Sequence, residues 1–347
     1  MIQLNSKFFF RCDGGQADGM GHIMQSLTLA QAFREVNNFD IEFITYSPDN
    51  VGKQKIEDFN FQVIESSGPA GSDSDLQFVL NLFKKQRAKP LFIADNRNIN
   101  EQYLLQCMSS CILVRITDQK QQNWPCHVLI NNTLNISKNN YKPQLNDQLL
   151  LLGPKFNLIK DSFFRNKTDA INDKPLHLLL TMGGEDPYNH SSWFIRHLCE
   201  ILRQIDFTTI IGPAHPQKEQ VKNDIAEYVP HGTLVINTNN MAHYMALADI
   251  AITAGGNTCY ELAAMGVPQI GIELELHQQE LIHSMEQSGC LLSLGWHESL
   301  TSGDVKTIVL QLMNSPEKRV EMQKKAKMLF SKPGAPLIVS EILNTFK

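Results

Sequence analysis

No apolar run in this chain of 347 residues approaches the ~20 needed to cross a bilayer, so no membrane span is expected. Basic surplus is missing too. Lys and Arg number 31 against 36 Asp and Glu, for a formal net charge of −5, and no stretch concentrates positive charge. Nucleic acid is therefore not an expected partner. The seven cysteines are scattered; the nearest pair, Cys107 and Cys111, has no second pair close by. Neither H-x-x-x-H nor H-E-x-x-H occurs, and no metal or other cofactor is expected. The odd cysteine count argues against a secreted disulfide framework and fits reduced, buried thiols in the cytoplasm. The N-terminus, MIQLNSKFFFRCD, has one early lysine, a very short apolar run and no small-residue cleavage site, so no signal peptide is expected. No fixed-period repeat or low-complexity segment appears, and nothing implies an obligate protein partner.

What remains is an ordinary globular composition, 42% apolar and 19% charged, long enough for two domains. Residues 8–34 organise the first half. Phe8–Phe10 reads as a buried strand, Asp13 to Gly21 as a glycine-rich turn, and a helix follows with Ile23, Leu27, Ala30 and Phe33 on one face. His22 falls at that helix start. The positive end of the helix dipole disfavours imidazolium there, so a neutral imidazole, fit to act as a general base, is one reading. A histidine merely filling a capping position is the other.

Strands at 41–46, 61–64, 90–94, 112–116 and 128–130 alternate with helices at 75–85 and 99–110. A polar break at 132–175 follows, holding one apolar island, Leu149–Leu152, and a linker, Asp161–Lys174. The alternation then restarts with strands at 176–181, 208–211, 234–236, 249–253 and 268–272 and helices at 192–204, 241–248 and 259–265. Helical segments at 316–328 and 336–346 end the chain. The expected fold is α/β, two doubly wound Rossmann-like domains facing a cleft, with boundaries 1–165 and 166–347 and the last helix returning to the first domain.

Two loops of the second half are phosphate-sized. One is Met182-Gly183-Gly184-Glu185-Asp186. The other is Ala254-Gly255-Gly256-Asn257-Thr258, with Glu261 three residues on. Glycines let backbone N–H groups approach a pyrophosphate, and a carboxylate one helical turn in can accept two ribose hydroxyls. Thr258 and Glu261 also fit S-or-T-x-x-E, a capping box that would simply start a helix. Neither loop is a Walker A. The first-half loop does not fit G-x-G-x-x-G, and no acidic residue ends the second strand, so a nicotinamide cofactor is not expected.

Taken in order, Asp13 with Gly19-x-Gly21-His22, Gly153-Pro154-Lys155-Phe156, Met182 to Asp186, and Thr253 to Pro268 resemble the UDP-2,4-diacetamido-2,4,6-trideoxy-β-L-altropyranose hydrolases of pseudaminic acid biosynthesis. Those enzymes are related to two-Rossmann-domain (GT-B-like) nucleotide-sugar glycosyltransferases. The resemblance spans residues 8 to about 345. It implies a UDP-sugar substrate, UDP bound mainly by the second half, and attack of water on the anomeric carbon with inversion and release of UDP. His22 matches the catalytic histidine. Asp13, Gly19, Gly21, Gln25, Arg97, Gly183, Gly184, Gly255, Gly256, Asn257, Thr258, Glu261, His277 and Gln278 are the implied substrate contacts. The chain departs from the family pattern at Gln25, Arg97 and His277, on the sugar side. A glycosyltransferase, or a binding protein without chemistry, on the same scaffold are the competing readings.

Overall fold

The computed structural model describes residues 7–15, 19–119, 123–143, 145, 147–165, 171–184, 186–213 and 215–346. Two compact units divide the chain, one of residues 1–159 with 333–347 and one of residues 160–332.

The first unit begins with β1 (Lys7–Arg11), α1 (Gly21–Val36), β2 (Asp40–Thr45), α2 (Val51–Asp58), β3 (Gln62–Glu65) and α3 (Asp73–Lys84). It continues with β4 (Leu91–Ala94), α4 (Glu101–Met108), β5 (Ile112–Ile116), β6 (Val128–Asn131) and β7 (Leu149–Leu152). All pairings are parallel, in the order β3-β2-β1-β4-β5-β6-β7. The three phenylalanines explain why β1 is central. Phe8 and Phe10 point to the α1 face and pack on Phe33, whereas Phe9 points to the other face and meets Phe83. A parallel strand covered on both sides has no polar face to preserve, so it reads as an unbroken apolar run.

The second unit holds α5 (Ser162–Arg165), β8 (His177–Thr181), α6 (His190–Leu202), β9 (Asp206–Ile211), α7 (Lys218–Tyr228), β10 (Thr233–Ile236) and α8 (Met241–Leu247). Then come β11 (Ile250–Ala254), α9 (Asn257–Met265), β12 (Gln269–Glu273), α10 (Gln279–Gln287), β13 (Leu292–Trp296), α11 (Ser302–Met313) and α12 (Pro316–Leu329). Its parallel sheet runs β10-β9-β8-β11-β12-β13. The last helix, α13 (Ala335–Thr345), belongs to the first unit, where it packs on α1 and buries Ile338, Val339 and Ile342. Fully burying such side chains contributes about 1.5–3 kcal/mol each.

The fold is thus two doubly wound parallel-sheet units. Their boundary lies at 159/160 rather than 165/166. Residues 333–347 return to the first unit, where Gly334 donates its N–H to Asn157 Oδ1 at 3.3 Å. Leu149–Leu152 is not an isolated apolar island in a polar break but the edge strand β7, paired to β6 from Val128↔Leu149 to Asn131↔Leu152. Only Leu151 of the four is buried, so nothing local marks the segment as part of a sheet. The short, polar α2 and α7 and the half-buried β13 also escape the periodicity, because few of their residues reach the core. The expected linker includes α5 within 161–165, and its residues 166–170 lie outside the described residues. No helix among the described residues is long and apolar enough to cross a membrane.

Candidate functional site

In each sheet the chain reverses direction of growth between its first and fourth strands, β1/β4 in one unit and β8/β11 in the other. Loops leaving the carboxyl ends of such strands part to opposite faces, and the gap between them is where α/β sheets bind ligands. The residues singled out above gather at these two points.

At the first, α1 starts at Gly21, with Met20 as its N-cap, so His22 is in the opening turn. His22 Nδ1 lies 2.7 Å from Asp95 Oδ1, and Ser26, one turn further along α1, donates to Asp95 Oδ2 at 3.1 Å. Asp95 follows β4 directly and is 1% exposed, while the His22 side chain is 26% exposed. Arg115 of β5 lies beneath. Its Nη1 donates to the carbonyls of Ala94 and Asn96 at 3.2 and 2.9 Å, gripping both sides of the Asp95 turn, and its guanidinium sits over the Trp124 ring. Burial by itself pulls the His22 pKa down. The charge and hydrogen bond of Asp95 outweigh it, and the pKa lies above the ordinary 6.5. This corrects the dipole argument: a carboxylate at 2.7 Å outranks the partial charge of a helix end.

Asp13 is a second correction. Among the residues expected to meet substrate, it is committed to the protein instead. Its carboxylate is paired with Arg11 and accepts the N–H groups of Tyr46 and Ala70, each at 2.7 Å. Arg11 also bonds Asp75 Oδ1 at 2.8 Å and the carbonyls of Ile44 and Gly68 at 3.3 and 3.2 Å, and Asp75 accepts from Ser66 and from the Tyr103 hydroxyl, so the interior beneath the first loop is a closed ionic network. A buried cation needs that many partners. Gly19 pairs with Gly15 in a short bridge that shapes the loop, and Gly21 is the first residue of α1; Gln16, Ala17 and Asp18 lie outside the described residues. Gln25 is half-buried on α1, one turn after His22. Arg97 is ion-paired with Asp118 at 2.5 Å, both about two-fifths exposed (41% and 44%). Both charges act on His22, Arg97 lowering its pKa and Asp118 raising it.

At the second point, α9 has Gly256 as its N-cap, with no side-chain cap. Thr258 is therefore the second residue inside the helix, and the Thr258–Glu261 capping box does not form. The glycine N–H groups are spent within the protein, Gly255 on Ile272 O at 2.9 Å and Gly256 on Ala254 O at 2.8 Å. The donors left over among the described residues are the N–H groups of Asn257 and Thr258, the first two of α9. Glu261, one turn in, makes no hydrogen bond or ion pair among the described residues, where Lys160 is the one charge that acts on it. Burial raises its pKa to about 7, against a smaller pull from Lys160. Gly255 has to be glycine because a Cβ there would come 2.8 Å from Ile282 and 2.9 Å from Gln278; at Gly256 a Cβ would meet nothing within 4 Å.

The β8 loop flanks the same point. Gly183 holds φ +86°, and space stands open beside both Gly183 and Gly184. Asp186 turns inward and caps α6, taking the N–H groups of His190 and Ser191 at 2.8 Å each and His215 Nε2 at 3.3 Å. Burial works to raise its pKa, but these bonds win and lower it. Glu185 lies outside the described residues. Gln278 is beside Gly255, with its side-chain oxygen accepting the Leu274 N–H at 2.9 Å, and His277 is exposed on the short turn before α10.

Sequence reasoning missed Asp95, Ser26, Arg115 and Asp118. A carboxylate directly after a buried central strand was the available signal for Asp95; the others carry none.

Comparison with known proteins places this geometry in a class. Residues 194–338 match the glycosyltransferase family 28 C-terminal domain. The spore coat polysaccharide biosynthesis protein SpsG of Bacillus subtilis is 22% identical over 328 residues, 93% of each chain. An uncharacterized protein of Methanocaldococcus jannaschii is 27% identical over 280 residues, 78% of this chain; the chain spans 55% of that relative's length. Among solved structures, MurG of Acinetobacter baumannii superposes with a TM-score of 0.69 at 14% identity, covering 98% of this chain and 99% of that one. The UDP-GlcNAc 2-epimerase of Neisseria meningitidis, bound to UDP-GlcNAc, gives 0.68 at 11% identity, covering 97% and 100%. The fold is that of the GT-B proteins.

Proposed function

We propose that this protein is a cytoplasmic enzyme of polysaccharide or nonulosonic-acid biosynthesis that hydrolyses a UDP-linked deoxy-diacetamido sugar. The second unit binds the nucleotide. The observation that carries this is the opening of α9, where the N–H groups of Asn257 and Thr258 have no acceptor among the described residues and the Glu261 carboxylate, without a hydrogen bond among them, follows one turn later. Donors and positive helix end suit a diphosphate, and the two oxygens of Glu261 suit the vicinal hydroxyls of a ribose. SpsG, similar over 93% of each chain, is named for polysaccharide biosynthesis, and the epimerase of the same fold binds a UDP-sugar.

The first unit supplies the base. With Nδ1 of His22 bonded to Asp95, Nε2 is the nitrogen left to take a proton. Water gives its proton to Nε2 and attacks the anomeric carbon, and the bond from that carbon to the diphosphate oxygen breaks with inversion. The α9 N-terminus stabilises charge on the departing UDP. UDP release from UDP-2,4-diacetamido-2,4,6-trideoxy-altropyranose, without metal or acceptor, tests the reading. Wild type releases UDP, and His22→Ala loses about 10²–10⁴-fold in turnover while UDP affinity holds. A variant as fast as wild type removes His22 from the chemistry.

The match of residues 194–338 to a glycosyltransferase domain favours a second reading, transfer of the sugar to an acceptor hydroxyl by the same base. UDP release that depends on added acceptor selects it.

A further inference from the structure

Strand β5 reads Ile112-Leu113-Val114-Arg115-Ile116, apolar and buried throughout but for one guanidinium, which is buried as well. Arg115 stands opposite Ala94 of β4 and shares a face of the sheet with Leu113, whereas Val114 and Ile116 join the core on the α1 side. It therefore lies on the far side of the sheet from His22. A buried cation needs partners, and Arg11 on β1 has two carboxylates. Arg115 has no carboxylate ion-paired to it among the described residues. Neither its Nε nor the Nε1 of Trp124, over whose ring it lies, has a hydrogen-bond partner among them. Its Nη1 donates to the Ala94 and Asn96 carbonyls, one on each side of Asp95. Burial lowers the Arg115 pKa to about 10, a sign of how poorly the charge is compensated, and an apolar side chain would fill the position with less desolvation. What the turn carries accounts for the arginine. We propose that Arg115 is the positioning residue of the base, holding the Asp95 turn from the far face of the sheet so that the carboxylate stays aimed at His22. Its effect on rate rests on the reading of His22 as the base; its effect on the imidazole does not.

The contacts run without a gap from arginine to imidazole. Nη1 fixes the backbone at residues 94 and 96, and the residue between them turns its side chain to the α1 side. There Asp95 Oδ1 lies 2.7 Å from His22 Nδ1, and Oδ2 accepts from Ser26 at 3.1 Å. The turn has backbone ties of its own: Asp95 donates its N–H to Arg11 O at 2.9 Å, and Asn96 O accepts the Ile99 N–H at 3.2 Å. Loss of Arg115 therefore loosens the aim of Asp95 without unravelling the loop. Holding and mere charge also differ in sign. A cation acting only through its field disfavours imidazolium, so its removal would raise the His22 pKa. As the holder of Asp95, Arg115 keeps in place the carboxylate that favours imidazolium, and its removal lowers that pKa.

The test is a double-mutant cycle of Arg115→Met and Asp95→Asn. Histidine side chains of the ligand-free protein are labelled with ¹³C, and the His22 resonance is assigned by its absence in His22→Asn. Arg97 and Asp118, the other charges acting on His22, are the same in every variant. Arg115→Met is expected to lower the His22 midpoint by about 0.5–1 pH units and turnover in UDP release about 10–100-fold, with UDP affinity unchanged. In the Asp95→Asn background the same substitution should move the midpoint by less than about 0.2 units and the rate by less than about twofold, because the carboxylate it positions is gone. Arg115→Lys keeps a cation without the reach of the guanidinium; it should fall between, and it carries the same cycle where the methionine variant does not fold. A midpoint that rises or stays, or a loss undiminished in the Asp95→Asn background, overturns the proposal. A side chain that only stabilised the fold would lower the urea midpoint and leave the imidazole unmoved. If the His22 midpoint falls with the expected coupling and the rate does not follow, Arg115 still positions Asp95, and it is the assignment of His22 as base that fails.

Discussion

Two switch points with the same strand order have been built in opposite ways. Beneath the first, charge is paid out densely: Arg11, Asp13, Asp75 and Tyr103 close a buried network, and Asp95 holds His22 and Ser26 above it. Among the described residues, the second contains no such network around its α9 loop. It has glycines, two N–H groups with no acceptor among the described residues, and one carboxylate with no hydrogen bond among them. A base must be aimed, and aiming takes fixed partners. A nucleotide site must keep its donors and acceptors unspent until the ligand arrives. On the proposed reading one topology serves both, because the sheet only gathers loops, while each loop decides how many of its polar groups are satisfied internally.

The sharpest way to break this contrast is to open the first network. Asp75→Ala strips the buried Arg11 of one of its two carboxylates and should cost about 3–5 kcal/mol, read as a lower urea midpoint. A loss under about 1 kcal/mol would mean that the network is dispensable. Next in size is Asp95→Asn, expected to lower turnover about 100-fold with UDP affinity unchanged. If His22 is the base, its raised pKa sets the acid limb of the pH profile, which should move down in this variant because the carboxylate that holds the imidazole proton is gone.

At the second point, Gly255→Ala and Gly256→Ala separate packing from binding. The first forces a Cβ against Ile282 and Gln278 and should cost about 1–3 kcal/mol. The second meets open space in extended backbone and should melt as wild type while UDP binds more weakly in calorimetry. Equal melting of the two would contradict the close approach at Gly255. The smallest effect concerns Glu261. With its folded pKa near 7, above the usual value of 4.5, it binds a proton more readily folded than unfolded. Ionising it therefore weighs against folding progressively from pH 4.5 to 7 and fully above. Glu261→Gln should raise the melting temperature at pH 8 and not at pH 4. If the carboxylate holds the ribose as proposed, UDP affinity should fall in the wild type as pH drops below 7 and be insensitive in the variant.

Much of this architecture was legible in the residues. The Phe8–Phe10 run, the glycine loop and the helix face from Ile23 to Phe33 fall where expected, because a central parallel strand and the helix after it are specified by local periodicity. The α9 loop was legible for the same reason, and the helix start at Asn257 shows why its reading had to change in detail. Whether a glycine N–H is free depends on Ile272, which sits on the next strand. Asp13 was misread because its partners, Tyr46 and Ala70, lie 33 and 57 residues away. Asp95 was passed over because it meets His22 across 73 residues. Leu149–Leu152 became a strand only because β6 offered an edge.

The sequence by itself determined the alternation of buried strands and amphipathic helices, and the glycine turns at strand ends, since both arise from side-chain spacing and backbone freedom within a few residues. Tertiary structure alone decided which polar groups are consumed and which stay available. That outcome depends on neighbours brought together by sheet order, and a hydrogen bond at 2.7 Å leaves no periodic trace along the chain.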